Sequence, residues 1–364
     1  MAAKLYIGLM SGTSLDGVDA ALLVTNGNTF KVEHSHFLPY DKALREELLD
    51  LHRVGINELE RVALTSNKLS HLYADAVQQL LEKSAISRPD ISAVGCHGQT
   101  VRHRPEAGFS LQIFNPALLA ELTGLTVVAD FRSRDIAASG QGAPLVPAFH
   151  RAAFSHPSIN RVVLNIGGIA NLSYLPANSE VTGFDTGPGN MLMDAWIMHC
   201  KQKTYDENGT WAAGGRVIPG LLEQMLDEAF FTMPPPKSTG RDLFDLEWLQ
   251  AHLNPQYQAE DVQRTLLELT ALSIASAINQ YCGNAEEIYV CGGGAYNLCL
   301  LRRLRELLRP VKIELSDVLG IAANTVEAAA FAWLAEQAML RRPGNLPSAT
   351  GAKGPRILGA IYAS

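Results

Sequence analysis

The chain has no run of Lys and Arg of the kind that tracks a nucleic-acid backbone, and its formal net charge is −7. A role in reading DNA or RNA is therefore not expected, although small anions need only local positive potential. No apolar stretch approaches the roughly 20 residues that span a bilayer. The opening MAAKLYIGLMSG carries one lysine and an apolar run too short and too soon interrupted for a secretory leader. The five cysteines, Cys96, Cys200, Cys282, Cys291 and Cys299, are odd in number, widely spaced and never in a CxxC pair. That argues against a disulfide framework and a zinc knuckle, and for free thiols in a reducing, cytoplasmic setting. No GxxxxGK[ST] loop occurs, and no convincing Ser-His-Asp or Cys-His nucleophile set.

What is present is a packed α/β pattern. With 364 residues, 47% hydrophobic and 18% charged, the chain exceeds one small core, and two domains are the default. Apolar runs at Lys4 to Met10 and Val18 to Val24 flank a glycine-rich turn and read as a hairpin, with a third short strand near Thr29 to His34. Helical periodicity covers Asp41 to Arg53 and Glu58 to Lys83. Strands follow at Ile91 to Cys96, at Ser110 to Phe114 and in TVVAD, and a helix opens at Pro116. FRSRDIAASGQGAPLVP, small and glycine-rich, reads as an interdomain passage. The second half restarts with RVVLNIGGIANLSYL, again strand, glycine turn, strand. Helices are expected at Met191 to Lys201, Asp261 to Tyr281 and Ala323 to Leu340, and EIYVCGGGAYN reads as a buried strand that opens a helix. Two halves of similar plan suggest an internal duplication around a ligand cleft.

Several short stretches carry chemistry. GLMSGTSLDG sets Gly8, Gly12 and Gly17 among Ser11, Thr13 and Ser14, and Asp16 and Asp19 could orient a lysine or a hydrated metal. Consecutive N–H groups in such a turn make a nest for phosphate oxygens; the plainer alternative is a solvated hairpin turn, usually shorter than this one. NIGGIANL repeats the logic with Gly167 and Gly168 between Asn165 and Asn171, although a glycine pair also marks a simple bulge. In GFDTGPGN, Asp185 sits in what reads as a rigid turn. It suits a general base or an ordinary turn aspartate, with Asn190 or the flanking glycines capping the next helix. Gly292, Gly293 and Gly294 would admit a flat ring or a phosphate, or only turn the chain. Arg132 and Arg134, beside Asp130 and Asp135, can clamp an anion or form a structural ion-pair network. Glu327, early in a helix, suits either the helix dipole or a site. His97, in the turn HGQT at a strand end, is a substrate contact or a core histidine before it is a metal ligand.

Taken together, GLMSGTSLDGVDAAL, GCHGQT, DFRSRD, GQGAPLVPAFH, LNIGGIANL, GFDTGPGN, CGGGAYN and ANTVEAAAFA resemble, in order and over Gly8 to Ala332, the anhydro-N-acetylmuramic acid kinases of the sugar kinase, Hsp70 and actin superfamily. The resemblance implies two ribonuclease-H-like α/β domains, expected at 1–135 with the tail 355–364, and at 136–354. It implies an ATP- and Mg²⁺-dependent enzyme of cell-wall recycling that opens the 1,6-anhydro sugar with water and phosphorylates O6. Gly12, Thr13, Ser14, Leu15, Asp16, Gly17, Val18 and Asp19 then match the ATP-binding loop, and Gly167 and Gly168 the second phosphate turn. Gly292, Gly293 and Gly294 correspond to the nucleoside turn, and Asp185 to the catalytic aspartate. Arg132, Glu327, His97 and Asn171 are the expected sugar contacts, and the family suggests a homodimer; no nucleic-acid or membrane partner is expected from the charge and the apolar runs. Superfamily members often begin the second turn with an acid; Asn165 stands there instead, so no metal ligand is assigned. The competing expectations are an acyl-phosphate or carbamoyl transferase holding a metal on His97 and His103, and a nucleotide-driven switch.

Overall fold

The computed structural model describes residues 3–12, 14–27, 29–240 and 243–364. In chain order their strands are β1 (Lys4–Met10), β2 (Gly17–Thr25), β3 (Phe30–Pro39), β4 (Ile91–Cys96), β5 (Gln99–Arg104), β6 (Phe109–Ile113), β7 (Val127–Ala129), β8 (Arg161–Ile166), β9 (Ile169–Leu175), β10 (Thr182–Pro188), β11 (Glu287–Cys291), β12 (Lys312–Leu315) and β13 (Ala360–Tyr362). The chain divides into two compact units, Met1–Ala153 with Leu319–Ser364, and Phe154–Val318.

Each unit is built on one mixed sheet. The first has the order β13-β7-β4-β1-β2-β3 and the second β10-β9-β8-β11-β12. In the first, β1, β2 and β3 form an antiparallel meander, while β4 and β7 run parallel to β1. In the second, β8, β9 and β10 form the meander, while β11 and β12 run parallel to β8. The duplication suspected from the two glycine-turned hairpins is thus a repeated topology, and the fold is the expected ribonuclease-H-like α/β architecture.

The central strands are apolar on both faces because helices cover both. On the first sheet, the helix Glu58–Ser84 buries Leu69, Tyr73, Ala76, Val77 and Leu80 on one stripe, joining Ile7, Leu9, Val18 and Leu22 in one core. The helix Val326–Met339 is apolar nearly all round and packs on β1 and β4. It lies flush because Gly8 and Gly95 lack a Cβ. A methyl group at Gly8 would run into the Ala328 carbonyl, and one at Gly95 into that of Phe331. In the second unit the helix Ala259–Tyr281 buries Leu266, Leu269, Ile274 and Ile278.

Four features differ from the sequence expectation. The passage after TVVAD does not separate the units: it holds the helices Ser133–Ala137 and Val146–Phe154, and the units change at 153/154 and 318/319, not at 135/136 and 354/355. The reason is packing, since the helix Val326–Met339 covers β1 and β4 of the first sheet and β13 pairs with β7 at its edge. Asp185 is not in a turn but in β10, whose register slips between Asp185 and Gly187. HGQT does not simply end a strand; from Gln99 it begins β5, which pairs with β6 in a separate hairpin. The third strand extends to Pro39. Among the described residues no helix is long and apolar enough to cross a membrane.

Candidate active site

In the first unit the turn between β1 and β2 is held from beneath by a buried polar cluster. Tyr40 Oη donates to Ser11 Oγ (2.8 Å), and the Tyr73 hydroxyl lies 2.9 Å from the same oxygen. Gln99 Nε2 donates to the Gly12 carbonyl (3.1 Å), and the Tyr40 N–H to that of Asp16 (2.9 Å). Ser14 Oγ donates to Asp16 Oδ1 (2.6 Å). Leu15 has a φ of +58°, a region costly for a branched side chain, and its side chain is 1% exposed in the core. Leu15 and Val18 were expected at the nucleotide, but both side chains are core residues, so only their main-chain atoms can serve a ligand. Thr13 lies outside the described residues. Asp16 is exposed, while Gly12, Ser14 and Asp19 are half-buried. Burial first, then the charges of Asp16 and Glu327, raise the Asp19 carboxyl to about 7.

Arg132 is clamped from two sides. Its Nε and Nη2 donate to His97 Nε2 (3.2 and 2.8 Å), and its Nη1 donates to the Gly142 carbonyl (2.7 Å). The Gly142 N–H donates to Asp135 Oδ2 (2.8 Å). Asp135 is fully buried and also accepts from Asn345 Nδ2 (2.6 Å) and Thr350 Oγ1 (2.8 Å). The ion-pair network suggested by the neighbouring acids is therefore a carboxylate that pins a backbone peptide, which in turn holds the arginine. His97 is 4% exposed, and its ring lies 4.7 Å from that of Phe331. Phe331 and Glu327 are four residues apart on one helix and share a face. Burial, then the charge of Arg132, hold His97 well below the usual imidazole range.

In the second unit the register gathers residues far apart in sequence. Asn171 on β9 pairs with Asn165 on β8 on one side and with Asp185 on β10 on the other. Directly paired residues project from the same face, so Asn165, Asn171 and Asp185 form one row. The segment after the prolines 234–236 fixes Asp185. The Asp185 N–H donates to the Lys237 carbonyl (3.1 Å), and the Thr239 N–H donates to Asp185 Oδ2 (2.9 Å). Lys237 Nζ donates to the Phe230 carbonyl (3.0 Å) and lies 4.6 Å from that ring. Burial lowers its pKa, and the charge of Asp185 acts in the opposite sense.

The strand-to-helix junction of β10 clasps the second glycine turn. The Gly189 N–H donates to the Gly168 carbonyl (2.8 Å), the Asn190 N–H to that of Gly167 (2.8 Å) and Asn190 Nδ2 to that of Ile166 (3.2 Å). Asn190 therefore ties the turn and makes no side-chain cap on the helix Met191–Lys201. The Gly167 N–H is itself given to Ile169 (3.2 Å). Gly292, at φ +80°, leaves no room for a Cβ beside the Asn165 side chain and the Ile166 carbonyl, and Gly294 packs on Ile166. Gly293 is the exposed member of the three.

Sequence reasoning missed Tyr40, Tyr73 and Gln99 beneath the first turn, and Lys237 and Thr239 beside Asp185. Gln99 lies in GCHGQT, where the reading stopped at His97; the other four lie in no glycine-marked motif, and the one available signal among them was the triple proline that ends a helical stretch before Lys237. Among the described residues no group of three or more His, Cys, Asp and Glu could hold a metal. His97 gives its lone pair at Nε2 to Arg132, a donor-only group, which leaves only a protonated Nδ1 and disfavours a metal on that residue. Mg²⁺ commonly uses one or two carboxylates and completes its shell with waters and nucleotide phosphates, and Asp16 and Asp19 suit that arrangement.

Two units of ribonuclease-H-like topology, each opening in a glycine-turned hairpin, define the class: a duplicated α/β fold of the actin-like ATPase type. Within it, the family model described as anhydro-N-acetylmuramic acid kinase matches residues 4–364, and the chain belongs to that family. It is 56% identical over 359 residues to the anhydro-N-acetylmuramic acid kinase of Nitrosomonas europaea, covering 98% of this chain and 99% of that protein. It is 54% identical over 364 residues to the protein of the same name from Nitrosospira multiformis, covering all of both. A solved structure of the activator of the 2-hydroxyisocaproyl-CoA dehydratase from Clostridium difficile, with bound ADPNP, is similar at 13% identity and a TM-score of 0.47, over 93% of this chain and 97% of that one.

Proposed function

We propose that the protein uses ATP and water to convert 1,6-anhydro-N-acetylmuramic acid to N-acetylmuramic acid 6-phosphate and ADP, a step of peptidoglycan recycling in the cytoplasm, and that it acts as a homodimer. The observation that carries the reading is Asp185. It is a half-buried carboxylate with one oxygen held by the Thr239 N–H, set in a row with two neutral amides. A base so held can take a proton from water as the water attacks the anomeric carbon. The bond from that carbon to O6 breaks, and O6 captures the γ-phosphoryl group as ADP leaves. One carboxylate then suffices where a glycosidase uses two.

The remaining roles follow from placement. The turn Gly12–Asp19 and, in the second unit, the glycine turn at Gly167 and Gly168 are assigned to the phosphates, with the Gly167 N–H already given to Ile169, and Gly293 with its packed neighbours is assigned to the nucleoside. Arg132, Glu327 and Asn171 are assigned to the sugar. When bound with the nucleotide, Mg²⁺ neutralises phosphoryl oxygens; Asp16 and Asp19 are the carboxylates that would hold it. The test is product analysis with ATP and the anhydro sugar in ¹⁸O-water: one labelled oxygen is expected at C1 and the phosphate on O6. No turnover of this sugar by folded, ATP-binding protein would overturn the assignment. Asp185→Asn is expected to abolish turnover and leave nucleotide affinity unchanged.

A further inference from the structure

The clamp on Arg132 gives His97 a role other than touching the sugar. A guanidinium has only donors, so the ring nitrogen that faces it, Nε2, carries the lone pair and Nδ1 carries the proton. His97 is thus a neutral acceptor, in keeping with burial and the Arg132 charge, which hold it well below the usual imidazole range. Its single lone pair meets both Nε and Nη2 of Arg132, while the Gly142 carbonyl meets Nη1. Two acceptors on different edges of a planar fork determine its plane as well as its position. Neither acceptor is loosely held. His97 is wedged on Phe331, and the Gly142 peptide is pinned by the buried carboxylate of Asp135.

We infer that His97 is a positioning residue that sets the plane of the Arg132 guanidinium for an anionic group of the sugar substrate, and that the Asp135-pinned Gly142 carbonyl is its counterpart on the other edge. This rests on the assignment of Arg132 to the sugar. A neutral imidazole suits this role because it orients the cation without neutralising it, whereas a carboxylate in the same place would compete with the substrate's own charge. The lactyl carboxylate of the muramic acid is the group such a fork fits. Because Phe331 and Glu327 share a helix face, the same helix that seats His97 also presents Glu327.

The experiment compares His97→Phe, His97→Gln, Arg132→Met and the double variant H97F/R132M in steady-state kinetics, with thermal unfolding of each. His97→Phe keeps a flat ring on Phe331 but offers no acceptor. It is expected to raise KM for the sugar, or lower kcat/KM for it, by about 10- to 100-fold, the usual cost of losing a hydrogen bond to a charged group, with KM for ATP unchanged. His97→Gln, which restores an acceptor, is expected to recover most of the loss. In the Arg132→Met background, His97→Phe is expected to change little, within about twofold. Equal losses from His97→Phe in both backgrounds, or a parallel rise in KM for ATP, would overturn the inference. Wild-type kinetics in Arg132→Met would instead overturn the assignment of Arg132 on which it rests.

Discussion

Asp19 illustrates how position, more than residue type, sets chemistry. Its folded pKa of about 7 lies above the 3.8 of an unperturbed side chain. Between those values the unfolded chain has released a proton that the folded protein keeps, so this group's contribution to stability falls as pH rises through the window and is level above about 7. Asp19→Asn is therefore expected to unfold at nearly the wild-type temperature near pH 4 and at a higher one at pH 8; the same difference at both pH values would refute the burial account. Asp185 is legible in GFDTGPGN as a candidate base, but its restraint is not, because Thr239 acts through a main-chain N–H that any residue except proline supplies. Thr239→Ala is expected to keep kcat near wild type. Thr239→Pro is expected to lower it by at least about tenfold, the cost of one hydrogen bond to a charged group, with ATP binding retained in an equilibrium titration. An equal effect of the two would assign the role to the hydroxyl.

At the scale of the element, the hairpins and long helices are legible because their periodicities are strong: β1, β8, β9 and the helices Glu58–Ser84 and Ala259–Tyr281 begin and end within a few residues of the sequence reading. The row Asn165, Asn171, Asp185 is not, since cross-strand register depends on turn geometry and on which face is buried. The helix Val326–Met339 is legible as a helix, while its partner is not, because an all-round apolar helix does not say which surface it covers. The glycines at the contact decide it. Gly95→Ala is expected to destabilise by about 1–3 kcal/mol through overpacking, lowering the melting temperature by several degrees, and to disturb His97 through Phe331. Gly220→Ala, where a Cβ meets nothing within 4 Å, is expected to leave it unchanged or raise it. Calorimetry distinguishes the two.

At the scale of the whole molecule, the chain enters and leaves its second unit once, so Phe154–Val318 is continuous while the first unit is assembled from both ends of the sequence. The second unit carries its own sheet and its own central helix. The fragment 154–318 is expected to show a cooperative thermal transition by circular dichroism and no phosphoryl transfer. The fragment 1–153 is not expected to, lacking the helix on β1 and β4 and the strand β13 that pairs with β7; a cooperative transition in 1–153 alone would show that the C-terminal segment is dispensable. The sequence by itself determined the class: the order of its glycine-marked blocks, the doubled hairpin and the lone aspartate in GFDTGPGN are local patterns, written in residue types and short spacings. Only the tertiary structure decided which side chains act through others. His97 faces Arg132, Asp135 pins Gly142 and Thr239 holds Asp185 because packing and register bring them together, and the forces that do so are non-local and leave no periodic trace along the chain.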